Sequence, residues 1–329
     1  MQNKDTSRAP AQASSTQKST RERVGLAVFG SDALATVSAI IAAEDAGIKQ
    51  VWMTQGTPAP DTLTIYAAAF VQTTDIRMGT AIIPTYPRHP LALAQQALAL
   101  GDLAPGRLRL GVGPSHRPTI EGVYGIPMKA PLEHLREYVT VLRQALWEGK
   151  VDYQGHYYTV RTPFPRTPHT PILISALREG AYQLAGEISD GAISWVCPVP
   201  FLIEKALPAL QAGAAKSGRP APPLVAHISV ALSQDRQAVL AAARKRLGTY
   251  GRLPFYASMF AEAGFPVSSD GIISDALIDN LVVAGDEATI KQHLAELLSK
   301  GLDELLVMQV PVEDAEGEQA RLMRLIGEM

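Results

Sequence analysis

Between Arg23 and the end of the chain, short β-like runs alternate with helix-like segments. The runs are RVGLAVF (23–29), QVWMT (50–54), IRMGTAIIP (76–84), RLRLGVG (107–113), PILISA (171–176), GAISWV (191–196), LVAHISVAL (224–232) and DELLVMQV (303–310). The intervening segments carry helix signals. Asp61 can cap one helix and Pro90 can start another. Leu132, Leu135, Val139, Leu142 and Leu146 recur at steps of three and four. Ile290, Leu294, Leu297 and Leu298 form one face of a later helix, with Gly301 just past its end. Parallel strands need crossover connections, for which helices are the usual solution. Eight such units in a row predict an α/β chain folded as a closed (β/α)₈ TIM barrel, with an open doubly wound sheet as the alternative.

Two segments interrupt the alternation. KVDYQGHYYTV (150–160) predicts a small hairpin turning at Gln154-Gly155, after the fourth helix. The stretch 250–271 reads as a helical insertion after a seventh helix near 236–249. Residues 1–22 have almost no apolar content and read as a disordered tail ahead of a single barrel domain, 23–329. They lack the apolar core of a secretory leader. No run reaches the length of a membrane helix. Thirty basic against 32 acidic residues, a net charge of −2, argue against nucleic-acid binding. A single cysteine, Cys197, excludes an internal disulfide and suits a reducing cytoplasm; its apolar context, SWVCP, predicts a buried inert thiol.

Chemistry on such a barrel sits at the C-terminal ends of the strands. The most distinctive of these is GVGPSHRPTIEGVYG (111–125). A dinucleotide fingerprint would need a third glycine where His116 stands and a helix at once, and the next periodic helix starts only near Pro131. A nucleophile elbow would need glycine where Arg117 stands. The histidines are scattered singly, so no metal site is expected. What remains is a glycine-opened loop at the top of the fourth strand, able to let a flat ring or a phosphate approach the backbone.

The segment RLRLGVGPSHRPTIEGVYGIPMKAPLEHLREYVTVLRQAL (107–146) resembles the luciferase-like monooxygenase superfamily, and within it the branch that uses the deazaflavin coenzyme F420. Residues 51–64, 77–100, 171–195 and 285–307 agree with it in order. The resemblance implies a TIM barrel with the cofactor across its C-terminal face, a homodimer and a small-molecule substrate. It also implies a non-proline cis peptide near Ala81-Ile82 supporting the deazaflavin ring. Gly111, Val112 and Gly113 would line the cofactor, with Ser115 and His116 facing its polar tail or the substrate. The phosphate would sit on Ser175, Ala176, Leu177 and Arg178, where a strand runs into a helix N-terminus and free N–H groups favour an anion. Trp195 reads as a pocket wall or a core tryptophan, and His227 as a core histidine.

One departure from the family pattern stands out. The sugar-phosphate dehydrogenases of this family carry an Asp-His pair after the second strand; here that place reads Thr54-Gln55-Gly56, without a general base. A reductase donating hydride from reduced F420 to a small electron-poor substrate is therefore the expectation, with the proton coming from Thr54 or Gln55 through water, from His116 or from solvent. An FMN-dependent monooxygenase and a non-catalytic cofactor-binding barrel stay open as alternatives.

Overall fold

The structure, a computed structural model, describes residues 19–329. Eight parallel strands close into a ring: β1 (Val24–Ala27), β2 (Gln50–Met53), β3 (Arg77–Thr80), β4 (Leu108–Gly113), β5 (Ile172–Ser175), β6 (Gly191–Ile193), β7 (Leu224–Ala231) and β8 (Glu304–Gln309). Leu224 and Val225 of β7 pair with Ala192 and Ile193 of β6, and β8 pairs with both β7 and β1. The ring is therefore complete and the open-sheet alternative is excluded. Helices cross from strand to strand around the outside. Asp61 and Asp286 cap theirs by accepting from the amides of Thr64 and Thr289, and Pro90 takes the first helical position of Pro90–Leu103.

The interior of the ring is tightly occupied. The Trp52 indole stands where a Cβ on Gly79 would lie 2.3 Å from its ring and one on Gly25 would lie 2.8 Å from its Nε1. Glycine on the two flanking strands makes room for it. Beside Trp52, Arg109 is buried with its guanidinium 4.9 Å from the ring centroid. Arg109 Nη1 donates to Glu304 Oε2 at 2.5 Å and to Gln50 Oε1 at 2.8 Å. This buried ion pair sits low in the barrel, away from the strands' C-terminal ends.

Several expectations are corrected. Residues 20–22 of the expected tail belong to the helical turn Thr20–Arg23, stabilised by a Ser19–Glu22 capping box; the rest of that tail, 1–18, lies outside the described residues. A short helix, Arg117–Gly122, follows β4 far sooner than the helix from Pro131. It has too few residues to show a period. The hairpin forms from Lys150–Gln154 and Thr159–Pro163. The segment beyond β7 differs more. Val282–Ala284 pairs in parallel with Ser229–Ala231, at the carboxyl end of β7. The chain thus returns to the end it left before the helix Glu287–Ser299 crosses to β8. Residues 232–281, with the helices Arg236–Leu247, Pro254–Glu262 and Asp275–Leu281, form one excursion over the barrel mouth. The insertion precedes the seventh crossover helix and includes the segment taken for it.

Replacing Glu304 by alanine would leave Arg109 buried without its carboxylate. We expect a loss of about 3–5 kcal/mol, read from urea unfolding of the two proteins.

Candidate active site

A cavity of about 1310 Å³ opens at the carboxyl ends of the strands. Its floor comes from Ala81, Ile82, Ser175, Ala176 and Ile193. Phe29 and Met308 enter from the ends of β1 and β8, and the excursion roofs it with Tyr250, Phe255, Tyr256 and Glu262. At the β3 end, the Ala81–Ile82 peptide is cis. Pairing with β4 resumes at Ile83↔Val112, one residue out of step with Gly79↔Arg109. This offset is a bulge, and both of its residues face the cavity.

Thr54, Gln55, Ser115, His116, Ser175, Ala176, Leu177, Arg178 and Trp195 all line this cavity. Gly111, Val112 and Gly113 do not; they are buried behind the wall. A Cβ on Gly111 would come within 2.0 Å of the Thr80 carbonyl oxygen, and one on Gly113 within 2.1 Å of Ser175 Oγ. Thr80 Oγ1 donates to the Gly111 carbonyl at 2.7 Å and accepts from its amide at 2.9 Å. These glycines let neighbouring strands approach each other. The chain turns into the cavity just beyond them, at Pro114 and Ser115, where the φ of Ser115 is 61°.

Gln55 is held at both ends of its amide. Its Oε1 accepts from the Thr62 amide at 2.8 Å, and its Nε2 donates to the Gly56 carbonyl at 3.2 Å. It shapes the loop after β2. The Thr54 side chain carries no hydrogen bond among the described residues. His116 packs against the rings of Tyr256 and Tyr250 at centroid distances of 5.7 and 6.4 Å. Burial lowers its pKa, which favours the neutral ring at pH 7.

After β5, the amides of Leu177, Arg178, Glu179 and Gly180 have no protein acceptor among the described residues. They lie at the start of the helix Glu179–Ile188, where the helix dipole adds positive potential. The Arg178 guanidinium is ion-paired with Glu262 of the excursion. The result is an anion-receiving helix end on the cavity wall, with the Arg178 charge beside it partly neutralised.

Trp195 is both pocket wall and structural support. Its Nε1 donates to Tyr250 Oη at 2.7 Å, and its ring lies 4.1 Å from that of His227. His227 is buried as expected and is only half satisfied: Nδ1 accepts from the Val196 amide at 3.3 Å, and Nε2 has no partner. Burial pushes its pKa down to about 3, with the Arg246 charge adding to the effect. Cys197 is buried, its thiol pushed up to about 12, as suits an inert core residue.

The family described as luciferase-like monooxygenase matches residues 12–304 of the sequence. The chain belongs to this family. Within reach of this luciferase-like chain is an F420-dependent glucose-6-phosphate dehydrogenase of Nocardia farcinica, 30% identical over 282 residues, covering 80% of this chain and 82% of the relative. An uncharacterised protein of Mycobacterium tuberculosis is 29% identical over 302 residues, covering 82% and 88%. Among solved structures, an F420-dependent secondary alcohol dehydrogenase in complex with an F420-acetone adduct superposes with a TM-score of 0.76 at 18% identity, covering 92% of this chain and 97% of that one. The likeness in fold thus extends over nearly the whole barrel. Among the described residues there is no cluster of potential metal ligands and no helix long and apolar enough to cross a membrane.

The sequence expects pocket walls from 115–130 and 250–280, and Tyr250, Phe255, Tyr256 and Glu262 of the second stretch do line the cavity, whereas Phe29, Arg246 and Thr249 were missed. Within that stretch the one available signal for individual residues was the aromatic density of YGRLPFY (250–256), which reads equally well as core.

His134 is held neutral outside the cavity. Burial lowers its pKa to about 4, against a weaker opposing effect of Glu137, and its Nε2 lies 2.8 Å from Tyr158 Oη. Below the unfolded value of 6.5, the unfolded chain takes up protons that folded His134 and His227 refuse. Their contribution is therefore present above pH 6.5 and is lost as pH falls toward about 4 and about 3. Urea midpoints should decline over that window, and NMR at pH 5 should show both rings neutral.

Proposed function

We propose that this protein is a coenzyme F420-dependent oxidoreductase working as a reductase on a small electron-poor organic substrate. The observation that carries the reading is the set of free amides from Leu177 to Gly180, opening onto a large, mostly apolar cavity at the carboxyl ends of a luciferase-like barrel. A phosphate-bearing tricyclic cofactor fits this donor set. The four amides would hold the phosphate and the Ala81–Ile82 bulge would support the ring. The relatives named as F420-dependent dehydrogenases favour the deazaflavin over FMN. The chemistry that cofactor supplies when bound is hydride transfer.

The protein's own share is binding, orientation and exclusion of water. The direction rests on the loop after β2. Thr54 and Gln55 do not titrate near neutrality, and Gln55 is committed to its loop, so no base stands ready there to take a proton from an alcohol. His116 is the titratable group at the wall closest to that role, its pKa lowered by burial. A sugar-phosphate dehydrogenase is the less supported activity despite the relatives' names.

Two variants at one position test the phosphate site. Arg178 precedes Glu179 with φ −127° and ψ 163°, a conformation that suits a residue before proline. Glu179→Pro thus keeps the helix and deletes one amide donor, whereas Glu179→Ala removes only the carboxylate. We expect coenzyme F420 to bind the proline variant about 1.5–3 kcal/mol more weakly than the alanine variant, read by fluorescence titration. Equal affinity would refute the phosphate site. Tighter binding of FMN than of F420 to the unmodified protein would overturn the cofactor assignment.

A further inference from the structure

The oxidoreductase reading leaves open which substrates the site accepts, and the substrate class inferred from the roof depends on that reading. The Trp195 indole has a single N–H, and it is given to Tyr250 Oη. The phenol oxygen is therefore an acceptor on that side, and its own O–H must point elsewhere. Among the described residues nothing accepts that proton. Tyr250 and Trp195 both line the cavity, so the free O–H is available to a ligand there. Burial raises the pKa of the phenol, with the Trp195 bond opposing, so the hydroxyl stays protonated across the neutral range.

The donor is also held in place. Tyr250 packs on Tyr256 at a centroid distance of 4.8 Å. Trp195 is braced by the His227 ring, itself fixed by the Val196 amide. Arg246, one turn before Tyr250, is the other held donor at the wall, on Met308 Sδ at 3.6 Å and over the Phe29 ring, while Thr57 and Arg178 are engaged by Tyr124 and Glu262. Gln55 is engaged in its own loop, while the Thr54 hydroxyl, the His116 ring and the Tyr256 hydroxyl have no protein hydrogen bond to orient them. A donor fixed in advance stabilises developing charge at little reorganisation cost.

We propose that Tyr250 is the hydrogen-bond donor that holds a carbonyl oxygen of the substrate, and that the substrate class is the α,β-unsaturated carbonyl compounds. In such a substrate, hydride gained at the β-carbon drives the C=C electron pair through to the oxygen, giving an enolate. The hydride would come from reduced deazaflavin bound as proposed, which the transfer would leave oxidised. A proton from solvent then completes the α-carbon and restores the carbonyl. The negative charge of the enolate develops on the oxygen that Tyr250 holds.

The test uses protein loaded with oxidised coenzyme F420 and 2-cyclohexen-1-one as the probe. The infrared carbonyl band of the bound enone should lie at lower frequency in the unmodified protein than in Tyr250→Phe. The change removes one oxygen, and an unaltered melting temperature establishes that the variant is folded. Trp195→Phe keeps the hydroxyl and loses its orientation, so its shifted band should broaden. With reduced cofactor, enone reduction by Tyr250→Phe should fall about 100-fold, mostly in kcat. Failure of coenzyme F420 to bind would strike the proposed function itself. Normal cofactor binding with identical carbonyl bands in the two proteins, or with no enone bound, would overturn this inference alone.

Discussion

The hydrogen bonds joining β6 to β7 turn a sheet into a ring, and the crowding inside that ring dictates what each strand can carry. Trp52 occupies interior space only because Gly25 and Gly79 give up theirs. Arg109 and Glu304 are tolerated there because each satisfies the other, with Gln50 completing the set. Gly111 brings β4 against the Thr80 carbonyl, and the reciprocal Thr80–Gly111 bonds lock that approach. All eight strands run the same way, so their carboxyl ends and the amides beyond β5 open onto one face. The cavity is a by-product of closure before it is anything else.

The barrel was largely legible in the sequence because its signals are local. Apolar runs, caps at Asp61 and Pro90, and steps of three and four in 131–146 each report on the chain near them. The excursion was not legible in the same way. Whether 236–247 is a crossover helix or part of a roof depends on where Val282–Ala284 pairs, and that contact lies some fifty residues along the chain. The site shows the same division. Residues just after strands, such as Thr54, Ser175 and Arg178, could be placed from strand ends alone. The packing role of Gly111 and Gly113 was not legible, because a glycine near a ligand and a glycine under a neighbouring strand look identical in sequence.

The electrostatics of the cavity favour neutral chemistry. His116 and His227 are held uncharged by burial, and the tyrosines of the roof are held protonated for the same reason. Fixed positive potential lies at the start of the helix Glu179–Ile188, where the Arg178 charge is offset by Glu262, and at Arg246 on the cavity wall. Such a wall discriminates by shape and by hydrogen-bond direction more than by net charge. It suits a redox site in which the reacting pair must be kept dry.

The excursion leaves the barrel and rejoins it on the same side, with Val282–Ala284 laid against the strand end it departed from. Entry and exit points are neighbours, so the length between them can change without disturbing the ring. The aromatic roof is in that sense a replaceable cap, and divergence within this family can alter what enters while the bed beneath is inherited intact.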